Sequence, residues 1–367
     1  MIKLIQVSTD TNIGGAGIWL LNFLEYYDRE KIDITVIIPK DSALKKRIEE
    51  LGVSYIEAEN IADVSFSIAA IGELRKIIKN VKPDVVHTHA SLSARIASRI
   101  EGVPTINTRH CIEGKKRGIK RLIYRFINNM LSDTVIAVSK AVYKNLLEDG
   151  IPEDKLRLIY NGVPPLKVLC DEERKKVRLE LGIEGCFAVG IFARLEAVKN
   201  HMMFLEAAAA MYNINDRFRF LIVGDGSMKD SLKKKAKELG IEDAVIFTGY
   251  VEDITELMNA VDVNVLTSDY EALSISLIEG MTVGKPCITT DSGGTREVVE
   301  NGRSGFVIPV NDCVSLTACI TKLASDAELC KVMGAEGMKI AQEKFTPEEM
   351  VNKLYEVYAG LMEERKG

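Results

Sequence analysis

Residues 260–284, AVDVNVLTSDYEALSISLIEGMTVG, predict one strand, loop and helix of a parallel sheet. Residues 262–268 form an apolar run that is typical of a strand buried on both faces. A turn follows, and four apolar residues then recur at helical spacing, namely Leu273, Leu277, Ile278 and Met281. The loop between strand and helix therefore lies at the carboxyl end of a strand, where sheets of this kind bind ligands.

Two carboxylates, Glu271 and Glu279, lie eight positions apart in this unit. At about 1.5 Å of rise per residue they are at most roughly 12 Å apart, which is too far to share a proton but suits the two ends of an elongated ligand. The amides between them are expected to be the unpaired donors of a helix N-terminus, which bind anions. These amides belong to Leu273, Ser274 and Ile275. A nucleotide-sugar fits this arrangement, with its diphosphate on the amides and its sugar and ribose on the two carboxylates.

A second interpretation of the same residues needs no ligand. Ser276 and Glu279 have the S-x-x-E spacing of a helix capping box. Glu271 is then only a solvated side chain, and the rest of the chain must decide between the two interpretations.

Length and composition indicate a globular protein of two domains. The chain has 367 residues, 47% hydrophobic and 28% charged, with a net charge of −5, and this length exceeds what one core usually supports. No apolar run reaches the ~20 residues of a membrane helix, and the amino terminus lacks a signal-peptide pattern, so we expect a cytoplasmic protein. The seven scattered cysteines contain no C-x-x-C pair and are expected to be reduced.

Apolar strands alternate with helical stretches through the first half of the chain, which predicts a parallel sheet covered on both faces. The predicted strands are residues 2–8, 33–39, 53–58, 83–89, 104–110, 133–139 and 156–161. His89 ends one strand and Arg109 and His110 end the next, so these side chains are expected where ligands bind. Hydrogen bonding of the histidines to a loop is the alternative. Gly14 and Gly15 follow the first strand and let a backbone approach a ligand, although the full G-x-G-x-x-G spacing is not met.

A second alternating series predicts a second doubly wound domain. Its strands are residues 186–193, 219–224, 244–248, 262–267, 286–290 and 305–309. Arg194 and Lys199 are expected to converge at a strand end beside a helix N-terminus, where cations indicate an anionic ligand. Two glycine turns suit a nucleoside, one at Gly224 and one followed by Tyr250 and Val251.

The turn-rich stretch 161–165 indicates the domain boundary, which gives domains of residues 1–165 and 166–345. Residues 346–367 predict a final helix, with Thr346 as N-cap and Pro347 at its first position, that reaches back toward the first domain.

Residues 113–129 carry six basic residues and, on an opposing face, the apolar residues Ile119, Leu122, Ile123, Phe126 and Ile127. One interpretation is a helix that lies on anionic lipid head groups at the inner face of a membrane. The other is a helix packed into the core, with a solvated basic face.

These residues, in this order, resemble the retaining glycosyltransferases of family four, and the resemblance spans nearly the whole chain. It rests on Gly14-Gly15, His89, His110, Arg194-x4-Lys199 and the E-x7-E pair Glu271/Glu279, together with Asp84-x-x-His87, Asn161-Gly162-Val163, Gly224-Asp225-Gly226 and Gly293-Gly294-x-x-Glu297. Ala272 and Gly280 depart from the usual residues after the two glutamates, which bears on the sugar used.

The resemblance implies the GT-B fold, two Rossmann-like domains that face each other across a cleft. It implies that Arg194 and Lys199 bind the donor diphosphate, Glu279 the ribose and Glu271 the sugar. It also places His110 beside the anomeric carbon and brings Gly14 and Gly15 to the phosphates.

The expected function is retaining transfer of a sugar from a nucleotide-sugar, with UDP favoured, to a glycan or lipid-linked acceptor. No cofactor, metal or nucleic acid is expected, since the two cations stabilise the leaving diphosphate and no two aspartates have D-x-D spacing. A nucleotide-sugar epimerase on the same fold is the main alternative. A two-lobed sugar-binding protein or an NAD enzyme fits fewer of these residues.

Overall fold

The computed structural model describes residues 1–114 and 116–365. The chain forms two compact units, one of residues Met1–Val163 with Phe345–Gly367 and the other of residues Pro164–Lys344. We call them unit 1 and unit 2. The sequence placed the boundary between the first two domains two residues later, after residue 165.

Unit 1 contains a seven-stranded, fully parallel sheet in the order β3-β2-β1-β4-β5-β6-β7. Its strands are β1 (Ile2–Val7), β2 (Ile32–Pro39), β3 (Ser54–Ala58), β4 (Val85–His89), β5 (Thr105–Arg109), β6 (Thr134–Ala137) and β7 (Leu156–Leu158). Its helices are α1 (Gly15–Tyr26), α2 (Leu44–Glu50), α3 (Ile68–Val81), α4 (Leu92–Ile100), α5 (Gly118–Leu131), α6 (Lys140–Glu148) and α15 (Pro347–Glu364).

Unit 2 contains a six-stranded parallel sheet in the order β10-β9-β8-β11-β12-β13. Its strands are β8 (Phe187–Phe192), β9 (Phe218–Val223), β10 (Val245–Gly249), β11 (Val263–Leu266), β12 (Cys287–Thr290) and β13 (Gly305–Ile308). Its helices are α7 (Asp171–Glu180), α8 (His201–Ile214), α9 (Lys229–Glu238), α10 (Thr255–Ala260), α11 (Ile275–Thr282), α12 (Thr295–Val298), α13 (Cys313–Ser325) and α14 (Ala327–Lys344).

The predicted fold class, two doubly wound parallel-sheet domains, is confirmed. Alternate residues of the apolar strands enter cores on opposite faces of each sheet: Leu4 of β1 packs with α1, whereas Ile5 packs with α3. This two-sided burial explains why the strands are apolar without interruption, since both faces are covered by helices.

Helix α15 follows unit 2 in the sequence but packs in the core of unit 1. Thr346 caps the helix by accepting a hydrogen bond from the Glu349 amide at 3.3 Å, and Pro347 occupies the first turn, as the sequence predicted. Leu354 and Tyr358 are fully buried against α1. Gly162 permits this packing, because a Cβ atom there would lie 2.5 Å from the Cα atom of Pro347.

Several sequence-based boundaries were wrong, and two of the differences have a local reason. The seventh strand ends at Leu158 and not at residue 161, because the chain leaves the sheet there and the Val163 amide bonds to the Phe345 carbonyl at 2.8 Å. The basic helix begins at Gly118 and not at residue 113, since Gly118 has a φ of 56°. Helix α11 begins at Ile275, two residues after the first apolar residue of the predicted helix.

Candidate active site

The loops after β8 and β11 carry the charged residues that the sequence singled out in unit 2. The two strands are neighbours at the point where the strand order reverses, since β8 is followed by β9 on one side and β11 by β12 on the other. Open α/β sheets bind ligands outside the carboxyl ends of their strands at such a switch point. Arg194 and Lys199 follow β8, and Glu271 follows β11.

Backbone contacts hold these two loops together. The Thr267 hydroxyl donates to the carbonyls of Lys199 and Asn200, both at 3.0 Å. The Asp269 amide donates to the Val198 carbonyl at 2.8 Å. The position of Lys199 relative to the loop after β11 is therefore fixed by main-chain bonds as well as by its own side chain.

Lys199 and Glu271 form a mostly buried ion pair. The ammonium group of Lys199 donates to Oε1 of Glu271, and the Ser268 hydroxyl donates to the same oxygen at 2.7 Å. The side chains are only 18% and 9% exposed. The interpretation of Glu271 as a solvated side chain is wrong, because it is buried with a cation and a hydroxyl as partners. Removing either member of such a pair typically costs about 3–5 kcal/mol, since the other charge stays buried.

Arg194 is exposed and lies in a loop that is packed against two glycines. Gly224 has a φ of 141°, and a Cβ atom there would lie 2.1 Å from the Ala193 carbonyl oxygen. The Leu195 amide donates to the Asp225 carbonyl at 2.9 Å. Gly224 is thus required for the close approach of two backbones, and it supports the loop that presents Arg194.

The start of α11 differs from the capping box that the sequence left open. Ser274 is the N-cap and accepts from the Leu277 amide at 3.3 Å, whereas Ser276 lies inside the helix. The capping-box interpretation is therefore wrong. Within residues 1–114 and 116–365, the amides of Leu273, Ser274 and Ile275 have no protein acceptor. They are the unpaired donors that an anion site needs.

Glu279 lies one turn further along α11 and is partly exposed. Burial raises the pKa of its carboxyl group from the usual 4.5 to about 7. No cation contributes to this shift. A carboxyl group of this kind is neutral for part of the time at pH 7 and serves as a donor or an acceptor to a hydroxyl group.

Tyr250 and Val251 follow β10 at the same end of the sheet as Arg194 and Gly224. Tyr250 is 70% exposed, and Val251 is partly buried. The structure thus brings the predicted residues of unit 2 to the carboxyl ends of four adjacent strands, β10, β9, β8 and β11.

In unit 1, three histidines at the ends of β4 and β5 form one cluster. His89 Nδ1 and His110 Nε2 are 2.8 Å apart, and the His87 and His89 rings stack with centroids 5.0 Å apart. Trp19 lies edge-on to all three rings at 4.8 to 5.7 Å. We call His87, His89 and His110 the histidine cluster.

A hydrogen-bonded chain sets the tautomers of this cluster. The side-chain oxygen of Gln6, Oε1, accepts a hydrogen bond from His89 Nε2 at 3.2 Å. The proton of neutral His89 is therefore on Nε2, and its Nδ1 carries none. His89 Nδ1 then accepts from His110 Nε2, so neutral His110 carries no proton on Nδ1. Nδ1 of His110 is therefore a hydrogen-bond acceptor.

The histidines are held in the neutral form. Burial, reinforced by Arg109, lowers the pKa of His110 to about 3, and burial together with His110 lowers the pKa of His87 to about 3. Burial also lowers the pKa of His89 well below its usual value, with smaller effects from the other two. The cluster is uncharged at neutral pH.

Sequence reasoning missed two residues of this hydrogen-bonded network, Gln6 and Tyr358. The amide nitrogen of Gln6 lies 3.2 Å from His87 Nδ1, and the Tyr358 hydroxyl lies 2.7 Å from the same atom. A glutamine within an apolar strand was the available signal, since a fully buried polar side chain needs partners. Tyr358 gave no signal, because it comes from α15, far away in the sequence.

The remaining predicted residues of unit 1 have different environments. Arg109 is buried and forms an ion pair with Glu113, so its charge already has a partner. Gly14 and Gly15 begin α1, and a Cβ atom at either would meet no atom within 4 Å. Open space thus surrounds the Cβ positions of both glycines, which follow β1 in the sequence.

Comparison with known proteins identifies the family. Residues 174–340 match the family of Glycosyl transferases group 1, and residues 13–165 match Glycosyltransferase Family 4. The chain is a family-four glycosyltransferase. Membership of this family favours transfer over the epimerase that the sequence left open.

Curated relatives of this glycosyltransferase cover most of its length. The putative glycosyltransferase EpsD of Bacillus subtilis is 29% identical over 81% of this chain and 82% of its own length. The UDP-Gal:alpha-D-GlcNAc-diphosphoundecaprenol alpha-1,3-galactosyltransferase of Escherichia coli is 25% identical over 98% of this chain and 97% of its own.

Solved structures show the same fold. Anabaena HepE in complex with UDP and glucose superposes with a TM-score of 0.86 at 24% identity, over 98% of this chain and 100% of that one. The sucrose-phosphate synthase of Thermosynechococcus elongatus has a TM-score of 0.81 at 17% identity, over 99% and 100% of the two chains. The fold of the glycosyltransferase is therefore GT-B.

The raised pKa of Glu279 predicts that unit 2 becomes less stable as the pH rises. Between about pH 4.5 and 7 the folded chain keeps this proton and the unfolded chain loses it, so the free energy of unfolding falls through this window. Glu279→Gln stays neutral at every pH. From pH 5 to pH 8 its free energy of unfolding should rise relative to wild type by up to about 3 kcal/mol.

Urea unfolding followed by far-UV circular dichroism at both pH values measures this difference. Tryptophan fluorescence would not, because the single tryptophan, Trp19, lies in unit 1. Glu238→Gln, an exposed carboxylate of α9, is the control and should show no such trend. An equal effect of Glu279→Gln at pH 5 and pH 8 would contradict the assignment.

Proposed function

We propose that this glycosyltransferase transfers a sugar from a UDP-sugar to a hydroxyl group of a glycan or lipid-linked acceptor, with retention and without a metal ion. The observation that carries the proposal is the Lys199–Glu271 ion pair at the switch point of unit 2, with exposed Arg194 in the loop beside it. Fixed positive charge at this place suits a departing diphosphate.

The other residues of unit 2 complete the donor site. The unpaired amides of Leu273, Ser274 and Ile275 bind diphosphate oxygens together with Arg194 and Lys199. Glu279 bonds to the ribose hydroxyls, and Glu271 positions the donor sugar while it holds Lys199. Tyr250 and Val251 follow β10 at the same sheet edge and contact the nucleoside, and Gly224 supports the Arg194 loop.

Unit 1 supplies groups for the sugar and the acceptor. The unprotonated Nδ1 of His110 accepts a hydrogen bond from a sugar hydroxyl near the anomeric carbon. His89 orients His110 through its own hydrogen bond, and the charge of Arg109 helps to keep His110 neutral. Gly14 and Gly15 leave room for phosphate oxygens at the end of β1.

The reaction substitutes the diphosphate at the anomeric carbon. In front-face attack, the acceptor oxygen bonds to that carbon on the side of the leaving group, and a diphosphate oxygen takes the acceptor proton. Charge develops on the diphosphate, and fixed cations stabilise it without having to reorganise. Front-face attack requires no carboxylate of the enzyme as a nucleophile, whereas a two-step route through a covalent intermediate would require one.

Two similar proteins support a UDP-sugar donor, and one of them supports a lipid-linked acceptor. HepE is solved with UDP-glucose, and the E. coli relative uses UDP-Gal and a diphosphoundecaprenol acceptor, as their names state. We infer a UDP-sugar donor and a lipid-linked or polysaccharide acceptor for this chain.

Loss of either cation should slow turnover strongly. We expect Arg194→Ala and Lys199→Ala each to lower kcat/KM by about 10² or more, because each removes charge stabilisation from the transition state. Initial rates with a UDP-sugar and a lipid-linked acceptor measure this.

Lys234→Ala, which removes an exposed lysine of α9, is the control and should keep the wild-type rate. Lys199→Ala leaves Glu271 buried without its cation, so the unfolding midpoint of this variant shows whether it still folds. Arg194→Ala is not expected to destabilise the fold, because Arg194 is exposed. Rates near wild type in Arg194→Ala would place the diphosphate elsewhere.

Turnover should not depend on a divalent metal ion, since Arg194 and Lys199 provide the positive charge. We expect the initial rate after treatment with a chelator to equal the untreated rate, and added manganese to leave it unchanged. Activity that disappears with the chelator and returns with manganese would contradict metal independence.

The surface of α5 supports contact with an anionic membrane. The interpretation of α5 as a core-packed helix is wrong, because Ile119, Leu122 and Phe126 are 60% to 69% exposed.

The exposed basic residues Arg117, Lys120, Arg121 and Arg125 lie on the same segment, whereas Lys115 lies outside the described residues. Exposed apolar and basic residues on one helix fit a bilayer surface with anionic head groups. Among the described residues, no helix has both the length and the apolarity to cross a bilayer.

Vesicle sedimentation tests this surface. We expect binding to vesicles that contain phosphatidylglycerol and little binding to pure phosphatidylcholine. Lys120→Glu/Arg121→Glu should weaken binding about tenfold or more, since each basic residue near an anionic surface contributes about 1 kcal/mol. Leu122→Ala/Phe126→Ala should weaken it as well.

Ile214→Ala is the matched control, because Ile214 is an equally exposed apolar residue at the end of α8 in unit 2. It should bind like wild type. Equal binding to both kinds of vesicle, or the same loss in Ile214→Ala, would remove the membrane proposal.

A further inference from the structure

A cavity of about 520 Å³ lies in unit 2 at the opposite edge of the sheet from the candidate active site. Phe187 and Phe218, the first residues of β8 and β9, line it, as do Asp262 and Pro286 just before β11 and β12. Arg194 and Lys199 follow the other end of β8. The cavity is therefore separate from the site of sugar transfer.

Positive charge dominates the lining of this cavity. Arg174, Arg217, Lys285 and Lys331 line it, and Asp262 is the one acidic residue among its lining residues. Arg217 and Lys331 are exposed, whereas Lys285 is only 7% exposed. The protein thus places one nearly buried ammonium group and three further cations around a single carboxylate.

The protein does not neutralise this charge. Asp262 accepts from Arg174 at 2.6 Å through one oxygen, and from Arg178 at 3.1 Å and the Ala188 amide at 2.8 Å through the other. Lys285 donates to the backbone carbonyl of Asn259 at 2.8 Å, and to no carboxylate within the part of the chain that the structure describes. Its pKa is lowered to about 7 by burial, with Arg174 as the next cause and Asp262 acting in the opposite direction.

Arg174 and Arg178 differ in how many of their hydrogen-bond donors are used within the protein. Arg178 also donates to the carbonyls of Ala260, Ile183 and Cys186, so its guanidinium is used within the protein. The Nε atom of Arg174 is buried, and no protein acceptor for it exists within residues 1–114 and 116–365. Of these two arginines, Arg174 lines the cavity. The donors of Arg174 are thus not all used by the described residues, whereas those of Arg178 bind several backbone carbonyls.

The cavity also has apolar lining. The Phe187 and Phe218 rings pack edge to face with centroids 5.8 Å apart, and Leu323 and Ala324 lie near them in the lining. The volume falls within the range of about 300–1,000 Å³ that small-molecule sites occupy. Its chemistry suits a ligand with a compact ring and a phosphoryl group.

We propose that this cavity binds a phosphorylated small molecule, with its phosphoryl oxygens on Lys285 and Arg174 and its ring against Phe187 and Phe218. The site is independent of the donor site and of the proposed transfer reaction. Arg217 and Lys331 contribute longer-range attraction from the surface.

Calorimetric titration of the full chain tests the proposal, with ribose 5-phosphate, inorganic phosphate and ribose as probes. We expect ribose 5-phosphate to bind more tightly than inorganic phosphate, and ribose not to bind. Lys285→Met should weaken binding of ribose 5-phosphate about tenfold or more, because it removes a charged hydrogen bond to the phosphoryl group. Lys234→Met, in which an exposed lysine outside the cavity is changed, should bind like wild type, and so should Arg194→Ala.

A second measurement uses the wild-type protein, so that the proposal can be tested even if Lys285→Met does not fold. Acylation of wild-type lysines, read by mass spectrometry, should be slowed at Lys285 by ribose 5-phosphate and not by ribose, with Lys234 unaffected. No binding of either phosphate at about 10 mM would overturn the proposal. The proposal would also be overturned if Lys285→Met bound ribose 5-phosphate as tightly as wild type, or if Arg194→Ala lost this binding. Acylation of Lys285 that ribose 5-phosphate does not slow would overturn it as well.

Discussion

The ion pair between Lys199 and Glu271 is the interaction on which the account of unit 2 depends. It joins the loops after β8 and β11 at the reversal of strand order, and Thr267 and Ser268 tie both loops to it. A free lysine at this position would sample many rotamers, whereas the buried carboxylate and the main-chain bonds hold its charge in one place. A charge that is already in position stabilises a leaving diphosphate without reorganisation. Glu271 thus fixes the cation.

Unit 1 follows a different principle, because its site is built from neutral groups. Burial keeps the three histidines uncharged, and the chain from Gln6 through His89 decides which nitrogen of His110 is free to accept a hydrogen bond. Tyr358 of the C-terminal helix closes this network from a distant part of the sequence. In this chain, unit 2 thus contains a charge held in place by an ion pair, and unit 1 contains a hydrogen-bond acceptor set by histidine tautomers.

Sequence periodicity was enough to predict the fold and the strand ends that carry polar residues, because a parallel sheet covered on both faces demands apolar strands and collects the ends of neighbouring strands at one edge. It was not enough to predict local partners. The choice of Ser274 over Ser276 as N-cap depends on where the loop after β11 is held, and the burial of Glu271 depends on Lys199, 72 positions away. The exposure of the apolar face of α5 was undecided, since an amphipathic pattern is the same for a core helix and a surface helix. The proposed phosphate-binding cavity left no motif, because it is assembled from α7, the strand beginnings, α13 and α14.

A crystal structure of the protein with UDP bound tests the central claim most directly. The account predicts diphosphate oxygens within about 2.7–3.2 Å of the Lys199 ammonium and the Arg194 guanidinium, with Lys199 still bonded to Glu271. UDP bound with both cations turned away from its diphosphate, or at another edge of the sheet, would contradict it.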